Sequence, residues 1–369
     1  MIKPMHLKTY RLQLTALTPV FIGSGQSVTK RDYLFDPDAG QVSMVDLPRL
    51  TALLSELKLM DSYETYLLRQ GQQADLQRFL QDNRALDMVR AQCVLYTFDG
   101  GNMVRSEKFR EVQLFIKDAA SGQAYIPGSS LKGALRTALL SYLMAIPAHR
   151  QGLAGSWPDA RRAEGRLLHK IPWNEKINGI VSDVMRAVRI SDSTLVPHSR
   201  LTLCGKADRH ISGQHSDINL YRECIAPGTS VRLALTVEPR MLQTARFPNL
   251  TPDGGVLRVF SWFEQHVLAR FAAPFPGNPL DAAEPQVKGF PVTLGAGTGY
   301  ESKTITYAQL GFNAAATEKV AALMQRQFPR GKHEQDAAQG VSPHTLKYTM
   351  YRGQYHRMGR CRLTYLCEE

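Results

Sequence analysis

The stretch Ala124-Tyr-Ile-Pro-Gly-Ser-Ser-Leu-Lys-Gly-Ala-Leu-Arg136 joins an extended segment to the start of a helix. Pro127-Gly128 favours a turn, and Ser129 or Ser130 is of the residue type that caps a helix. The free N–H groups and the positive dipole end of such a helix start attract anions. The stretch predicts either a helix start that faces an anion or, equally, an ordinary capped core helix.

Two basic residues follow within this helix. Lys132 and Arg136 are four positions apart, so they lie on one face. Their charge suits a phosphate backbone, although basic residues on a helix surface also simply face solvent. The candidate anion contacts in this region are Ser129, Ser130, Lys132 and Arg136.

Two glycine-rich segments each follow a predicted strand. Tyr10–Leu17 alternates apolar and polar residues and leads to Gly23-Ser24-Gly25, while Gly295-Ala-Gly-Thr-Gly299 follows Val292-Thr-Leu. Glycines let a backbone approach a phosphate closely. Neither segment has the spacing of a nucleotide-binding loop, and a plain tight turn explains each equally well. The candidate contacts are Gly23, Ser24, Gly25, Gly295, Gly297 and Gly299, with the cations Lys30, Arg31 and Lys303.

The composition is that of a basic globular chain. Its 369 residues suggest two domains, hydrophobic residues make up 43%, and the formal net charge is +12. That excess favours a polyanionic partner, although a basic protein without one has the same charge. No apolar run approaches the roughly 20 residues that span a bilayer, so no membrane contact is expected. The five cysteines form no C-x-x-C pair, which fits a reducing cytoplasm and disfavours disulfides or structural zinc.

A loop-like segment keeps catalytic alternatives open. The segment contains Asp208, His210, His215 and Asp217. These residue types are those of metal ligands, but their spacing matches no standard motif. His210 or His215 could instead act as the general base of a metal-independent ribonuclease. Asp32 could position a phosphodiester, or be only a polar residue in a basic segment. No metal and no cofactor are expected.

Strands and helices are mixed in both halves of the chain. Helices are predicted over Asp46–Leu59, 61–92, Val256–Ala272 and Thr317–Phe328, and 147–179 is predicted to be a long connection. This mixture indicates two α+β domains. We place them at residues 1–196, with a helical insert, and 197–369.

Taken together, the motifs resemble those of the RAMP superfamily of CRISPR proteins. The resemblance rests on Thr18-Pro-Val-Phe-Ile-Gly-Ser-Gly25, Tyr125–Arg136 and Leu294–Gly299, in this order along nearly the whole chain. The string Ile-Pro-Gly-Ser-Ser-Leu-Lys-Gly is its most specific part. The length, the helical insert at 61–92 and the divergent C-terminal half are similar to the fifth subunit of type III-A (Csm) effector complexes.

The resemblance implies two ferredoxin-like (RRM-like) domains with helical insertions. It implies a non-catalytic subunit that caps the 3′ end of the guide RNA (crRNA) and supports crRNA maturation and antiviral defence. The expected partners are the crRNA, the backbone RAMP subunit and through it the other Csm subunits, target RNA, and a host trimming nuclease. The backbone subunits of such complexes use an Asp after the first glycine motif for cleavage, and Gln26–Asp32 departs from their pattern.

Two other functions stay open at this level. One is a RAMP-type endoribonuclease that processes guide RNA, and the other is a scaffold that contacts only protein.

Overall fold

The alternating segment that contains Tyr10 is a strand, Lys8–Ala16. Tyr10, Leu12 and Leu14 are each at most 1% exposed, and Arg11 between them faces solvent. This confirms the predicted period of two. The structure is a computed structural model and describes residues 7–71, 74–101, 111–150, 159–171, 179–248, 250–252, 255–277 and 287–368.

Fourteen strands occur in these ranges. They are β1 (Lys8–Ala16), β2 (Gly23–Val28), β3 (Tyr33–Asp36), β4 (Gln41–Val45), β5 (Val94–Asp99), β6 (Val112–Phe115), β7 (Val188–Ile190), β8 (Leu201–His210), β9 (His215–Ile225), β10 (Ser230–Val237), β11 (Phe290–Thr293), β12 (Thr345–Tyr351), β13 (Gln354–Arg357) and β14 (Arg360–Glu368).

Thirteen α-helical segments accompany them in the same ranges. They are α1 (Leu47–Glu56), α2 (Met60–Gln70), α3 (Leu76–Asp82), α4 (Leu86–Gln92), α5 (Gly128–Ala145), α6 (Pro147–Arg150), α7 (Asp159–Leu168), α8 (Pro239–Thr244), α9 (Arg258–Phe263), α10 (Ala269–Ala272), α11 (Thr306–Leu310), α12 (Ala314–Gln327) and α13 (Asp336–Gln339). None of the described helices is long and apolar enough to cross a bilayer.

The strands form two sheets. The first has the order β11-β14-β1-β10-β7, with β1 antiparallel to both neighbours. The second has nine strands, in which β2-β6-β9-β8-β5-β4-β3 form the main path and β12 joins β8 to β13. Both sheets combine strands from before and after residue 196. The mixed α+β class is thus confirmed, while the division into 1–196 and 197–369 stays a prediction.

A long helical element covers part of the main core. Residues 264–268 are π-helical and connect α9 to α10, so the predicted helix Val256–Ala272 is present with one irregular turn. The residues predicted for its buried side are all at most 6% exposed: Phe260, Phe263, Val267 and Phe271. They stabilise the fold by removing large apolar surfaces from water.

The helical insert has its own small core. Leu50, Leu54, Leu76, Leu80 and Val89 come from α1, α3 and α4 and are each at most 2% exposed. The prediction of helices over 61–92 is confirmed in α2, α3 and α4. The long connection predicted over 147–179 is wrong where the structure describes it, because α6 and α7 lie there; residues 151–158 and 172–178 lie outside the described residues.

Candidate nucleic-acid interface

The two glycine segments lie against each other. The N–H of Ala296 donates to the carbonyl oxygen of Phe21 over 2.7 Å. Gly295 has φ +89°, and a Cβ at this position would overlap the same carbonyl oxygen, so only glycine permits the approach. On the other side, the N–H of Leu294 donates to the carbonyl oxygen of Gly359 over 2.8 Å. Gly295 therefore has a structural reason to be glycine before any ligand is considered.

The first glycine segment is an edge strand, not the predicted loop. Gly23, Ser24 and Gly25 all belong to β2 and are exposed. The pairing of β2 with β6 shifts register after Gly23, and the Ser24 hydroxyl donates to the carbonyl oxygen of Leu114 over 3.2 Å. An exposed edge of this kind has backbone N–H groups that are free to meet a ligand.

The start of α5 differs from the prediction. Pro127 is the N-cap residue and makes no capping hydrogen bond with its side chain, so the expected serine cap is wrong. The N–H of Gly128 donates to Oδ1 of Asp192 over 2.8 Å. A carboxylate of the chain itself thus occupies the place that the sequence suggested for a bound anion. Ser129 is exposed and Ser130 half-buried.

The two basic residues of α5 lie near carboxylates of the chain itself. Arg136 donates from Nε to Glu164 over 2.8 Å and from Nη2 to Asp183 over 2.6 Å. Burial lowers the pKa of Lys132, and the nearby carboxylate of Asp183 opposes this effect. Arg136 therefore has two carboxylate partners within the chain, and RNA contacts by Lys132 and Arg136 stay a prediction.

A groove of about 370 Å³ brings several of the expected residues together. We call it the glycine groove. It is lined by the edge strand, by one face of α5 and by the second glycine segment, through Gly23, Ser129, Ser130, Gly133, Thr137, Gly295 and Lys303, among others. Three motifs that are far apart in sequence thus meet on one surface.

A second, larger cavity of about 740 Å³ shares Lys303 with this groove. We call it the basic cavity. Its lining includes Gly297 and Gly299 and five cations: Lys206, Arg222, Lys303, Arg330 and Lys347. The acidic residue in the lining is Asp208, which forms an ion pair with Lys347 over 2.7 Å. Lys303 lines both cavities, and the larger one has a clear excess of positive charge.

Arg222 lines the basic cavity, and sequence reasoning missed it. It lies on β9 and is only 8% exposed. Its Nε donates to Oε1 of Gln113 over 3.1 Å, and its guanidinium lies 5.1 Å from the ring centre of Phe21. No carboxylate oxygen of the described residues lies within 4.0 Å of it. Nothing in the sequence indicated that this arginine would be buried without a carboxylate beside it.

Lys206 and Lys303 also line the basic cavity, and neither has a carboxylate oxygen of the described residues within 4.0 Å. Burial lowers the pKa of Lys206, the charge of Lys347 adds to the effect, and the carboxylate of Asp208 opposes it. Desolvation and the charge of Arg222 lower the pKa of Lys303. Among the described residues, no ion pair of either lysine is present. The charge of Arg222 repels both lysines, and an anion in the cavity would relieve that repulsion.

The family is decided by a match over most of the chain. The model of the RAMP superfamily matches residues 13–289. The chain belongs to the RAMP superfamily. This confirms the family that the glycine segments and the Ile126–Gly133 string indicated.

Curated relatives support the finer resemblance. A protein of Mycobacterium tuberculosis (strain H37Rv) named CRISPR system Cms protein Csm5 is 28% identical over 398 residues, covering 97% of this chain and 98% of the relative. A Streptococcus thermophilus protein of the same name is 28% identical over 313 residues, covering 81% of this chain and 80% of its own. The predicted resemblance to the fifth Csm subunit is therefore confirmed.

A solved structure supports the RAMP fold. One chain in a cryo-EM structure of a Csm–crRNA–target RNA ternary complex of a type III-A CRISPR–Cas system superimposes with a TM-score of 0.63 and 20% identity. The match covers 96% of this chain and 100% of that one. Together with the family match, it confirms the predicted ferredoxin-like α+β fold.

The cations after the first glycine segment line neither cavity of this RAMP chain. Lys30 forms an ion pair with Asp75 over 3.2 Å, and Nε of Arg31 lies 3.4 Å from the Thr29 hydroxyl. Oδ2 of Asp32 accepts hydrogen bonds from the N–H and the hydroxyl of Thr29, over 2.8 and 3.0 Å. Asp32 thus stabilises a turn, and RNA contacts by Lys30 and Arg31 stay a prediction.

The histidines singled out in the sequence lie on a hairpin. The prediction of a loop is wrong, because Asp208 and His210 belong to β8, and His215 and Asp217 belong to β9. His210 lines the basic cavity. The ring of His215 stacks on Tyr355 with a centroid distance of 4.0 Å, and burial lowers the pKa of this histidine. The hairpin does not gather the four residues into a metal-binding group.

A different trio has the donor types of a metal site. Asp336 is fully buried and accepts from Nδ1 of His333 over 2.9 Å, from Nδ1 of His344 over 2.6 Å and from the Ser342 hydroxyl over 2.6 Å. His333, Asp336 and His344 lie close enough together to hold an ion, and both histidines line the basic cavity. The sequence separation of these residues has no motif spacing, so this trio was not found from the sequence.

Proposed function

We propose that this chain is the RNA-binding subunit of a type III-A CRISPR–Cas complex that holds the 3′ region of the crRNA. The glycine groove and the basic cavity, which share Lys303 in their linings, are the observation that carries this proposal. A groove with exposed backbone that leads to unpaired cations suits a single-stranded phosphate backbone. The names of the curated relatives and the RNA complex of the fold neighbour support it.

Within such a complex the chain would contact the terminal backbone RAMP subunit and, through it, the others. We propose that it protects the crRNA end or recruits a trimming nuclease during maturation, and does not cleave RNA itself. The carboxylate of Asp32 accepts two hydrogen bonds from Thr29 within its own turn. These bonds support the absence of a cleavage role, because the carboxylate already has partners within the chain.

Recognition is expected to follow backbone charge, because the spacer of a guide varies in sequence. The test is binding of the purified chain to single-stranded RNAs of equal length and different sequence, each measured at several salt concentrations. Affinities should agree within about threefold among the sequences, and log K should fall linearly with log salt, with a slope near −0.7 for each phosphate contact. Affinity that is unchanged between low and high salt would contradict the proposal.

A second experiment addresses assembly and catalysis together. Co-expression with the other complex subunits and a guide should yield complexes that contain this chain and shortened guides, and omission of the chain should leave longer guides. Incubation of the purified chain with guide precursor should give no cleavage. Cleavage that His210→Ala abolishes would instead support the endoribonuclease alternative.

A further inference from the structure

The basic cavity has more positive charge than its own residues neutralise. Of the lining residues, Asp208 is the acidic one, and Lys347 already pairs with it over 2.7 Å. Arg222, Lys206 and Lys303 form no ion pair within the part of the chain that the structure describes. Arg222 is buried and Lys206 half-buried, and a cation without an ion-pair partner at such a position is costly, so the cavity favours an anionic occupant.

Arg222 is the strongest indication. Its side chain is more than nine-tenths buried, and it is held by Gln113, by the Met358 sulfur at 3.5 Å from Nη1, and by the ring of Phe21. No hydrogen bond from Nη2 to a described residue is present. A guanidinium binds a phosphate through two parallel N–H donors, and Arg222 is fixed in place with donors still available.

The second glycine segment allows this placement. A Cβ at Gly297, where φ is +77°, would overlap Nη1 of Arg222. The glycine therefore permits the guanidinium to lie against the backbone of a loop that lines the same cavity. Lys206 approaches from β8 and Lys303 from the end of the loop, so the three cations reach the cavity from three different segments.

The cavity also offers room and an aromatic surface. Its volume of about 740 Å³ lies within the roughly 300–1,000 Å³ of small-molecule sites. Phe328 lines it and is 55% exposed, and an exposed ring is a surface on which an unpaired base stacks.

We propose that the basic cavity binds a nucleotide through a terminal phosphate monoester, with Arg222, Lys206 and Lys303 around the phosphate. A monoester carries a charge of about −1.5 to −2 near pH 7, whereas each internal phosphodiester carries a single negative charge. A terminal phosphate therefore balances three cations that have no ion-pair partner better than an internal phosphodiester does. The proposal rests on the proposed function in taking an RNA end as the source of the nucleotide. A free mononucleotide has the same chemistry.

The trio of His333, Asp336 and His344 suggests a different occupant, a divalent cation. Both oxygens of Asp336 already accept hydrogen bonds. The five cations in the same lining also repel a metal ion. The phosphate is therefore the better-supported occupant, and metal binding is an outcome that the experiment distinguishes.

The experiment compares the ends of one RNA. The full-length chain is titrated by calorimetry with one short RNA that has a 3′-phosphate, a 5′-phosphate, or hydroxyls at both ends. Adenosine 3′-monophosphate, inorganic phosphate and ZnCl₂ are separate ligands. One of the two phosphorylated RNAs should bind about tenfold more tightly than the hydroxyl-ended RNA, which corresponds to about 1.4 kcal/mol of binding free energy.

The variants identify the site. Lys303→Met and Lys206→Met should each remove most of the gain due to the phosphate, and the exposed Lys288→Met, outside the cavity lining, should retain it. Arg222→Lys keeps the charge and should weaken the gain by losing the paired donors. The lysine variants test the site even if the arginine variant does not fold.

Each pattern of results decides the proposal. Equal binding of all three RNAs within twofold, a gain that persists in Lys206→Met and Lys303→Met, or tight binding of Zn²⁺ without a phosphate gain would overturn it. Failure of the hydroxyl-ended RNA to bind at all would count against the proposed function instead. In that case, binding of adenosine 3′-monophosphate to the wild-type chain and not to Lys303→Met would still support the basic cavity as a phosphate site.

Discussion

Nη1 of Arg222 lies against Gly297 so closely that any side chain at position 297 would overlap it. The two residues are far apart in sequence, on β9 and in the second glycine segment. The arginine in turn lies over Phe21, whose carbonyl oxygen accepts the N–H of Ala296. The glycine segment thus positions a buried cation, in addition to closing a tight turn.

Replacing Gly297 by alanine tests this relationship. Gly297→Ala should lower RNA affinity about tenfold, because the new methyl group displaces the guanidinium, and it should destabilise the fold by about 1–3 kcal/mol because φ is positive. Gly228 has φ +81° with nothing within 4 Å of a Cβ, so Gly228→Ala is the matched control for backbone strain. It should lose similar stability in urea unfolding but keep RNA affinity within twofold. Equal affinity losses in both variants would show that Arg222 is not the cause.

The glycine groove can be tested with one added charge. Gly133 lines the groove, is exposed, and has nothing within 4 Å of a built Cβ. Gly133→Asp should weaken RNA binding about tenfold relative to the equally large and neutral Gly133→Asn at low salt. The difference should shrink at high salt, where charges are screened. Equal affinities of the two variants at low salt would exclude the groove from the RNA path.

Arg136 should contribute to stability more than to RNA binding. Arg136→Ala leaves Glu164 and the mostly buried Asp183 without their cation, so we expect a loss of roughly 1–3 kcal/mol in urea unfolding. RNA affinity of the folded variant should stay within twofold of wild type. A clear loss of affinity at unchanged stability would instead support the RNA contact of Arg136 that the sequence predicts.

Asp336 should make the free energy of unfolding depend on pH in the acidic range. Burial opposes its ionisation, but hydrogen bonds from His344, Ser342 and His333 outweigh this and hold the pKa of Asp336 below its usual range. The stabilisation is then fully present above the unfolded pKa of about 3.9 and is lost as pH falls through the lower folded pKa. Asp336→Asn should be less stable by about 1–3 kcal/mol at pH 6–7, with a gap that narrows toward pH 3 in urea titrations. A gap that is the same at every pH would refute this origin of the stability.

The sequence predicted elements whose cause is local. The alternation from Tyr10 to Leu14 and the apolar face from Phe260 to Phe271 each follow from a simple period, and both are buried as expected. Gly295 was predicted to let the backbone approach a phosphate closely. The atom that a Cβ at this position would meet first is instead the carbonyl oxygen of Phe21. The local geometry was predictable, but its partner was not.

Features that depend on long-range pairing were missed. The β8–β9 hairpin has a polar, glycine-containing tip, and the pairing of β8 with β12 stabilises it through contacts such as Thr349 to Gly205 over 2.9 Å. Asp192, which bonds the start of α5, lies more than 60 residues from Gly128 in sequence. The lack of a carboxylate beside Arg222 is likewise visible only once the strands are assembled.

Photo-crosslinking within the assembled complex tests the central claim most directly. A guide with 4-thiouridine at its last nucleotides is incorporated, irradiated and digested, and the adducts are located by mass spectrometry. Adducts are expected in this chain on peptides that contain Gly295–Lys303 or the strands of Lys206 and Arg222. Adducts that occur only on other subunits, with none on this chain, would contradict its assignment as the subunit that holds the 3′ region of the guide.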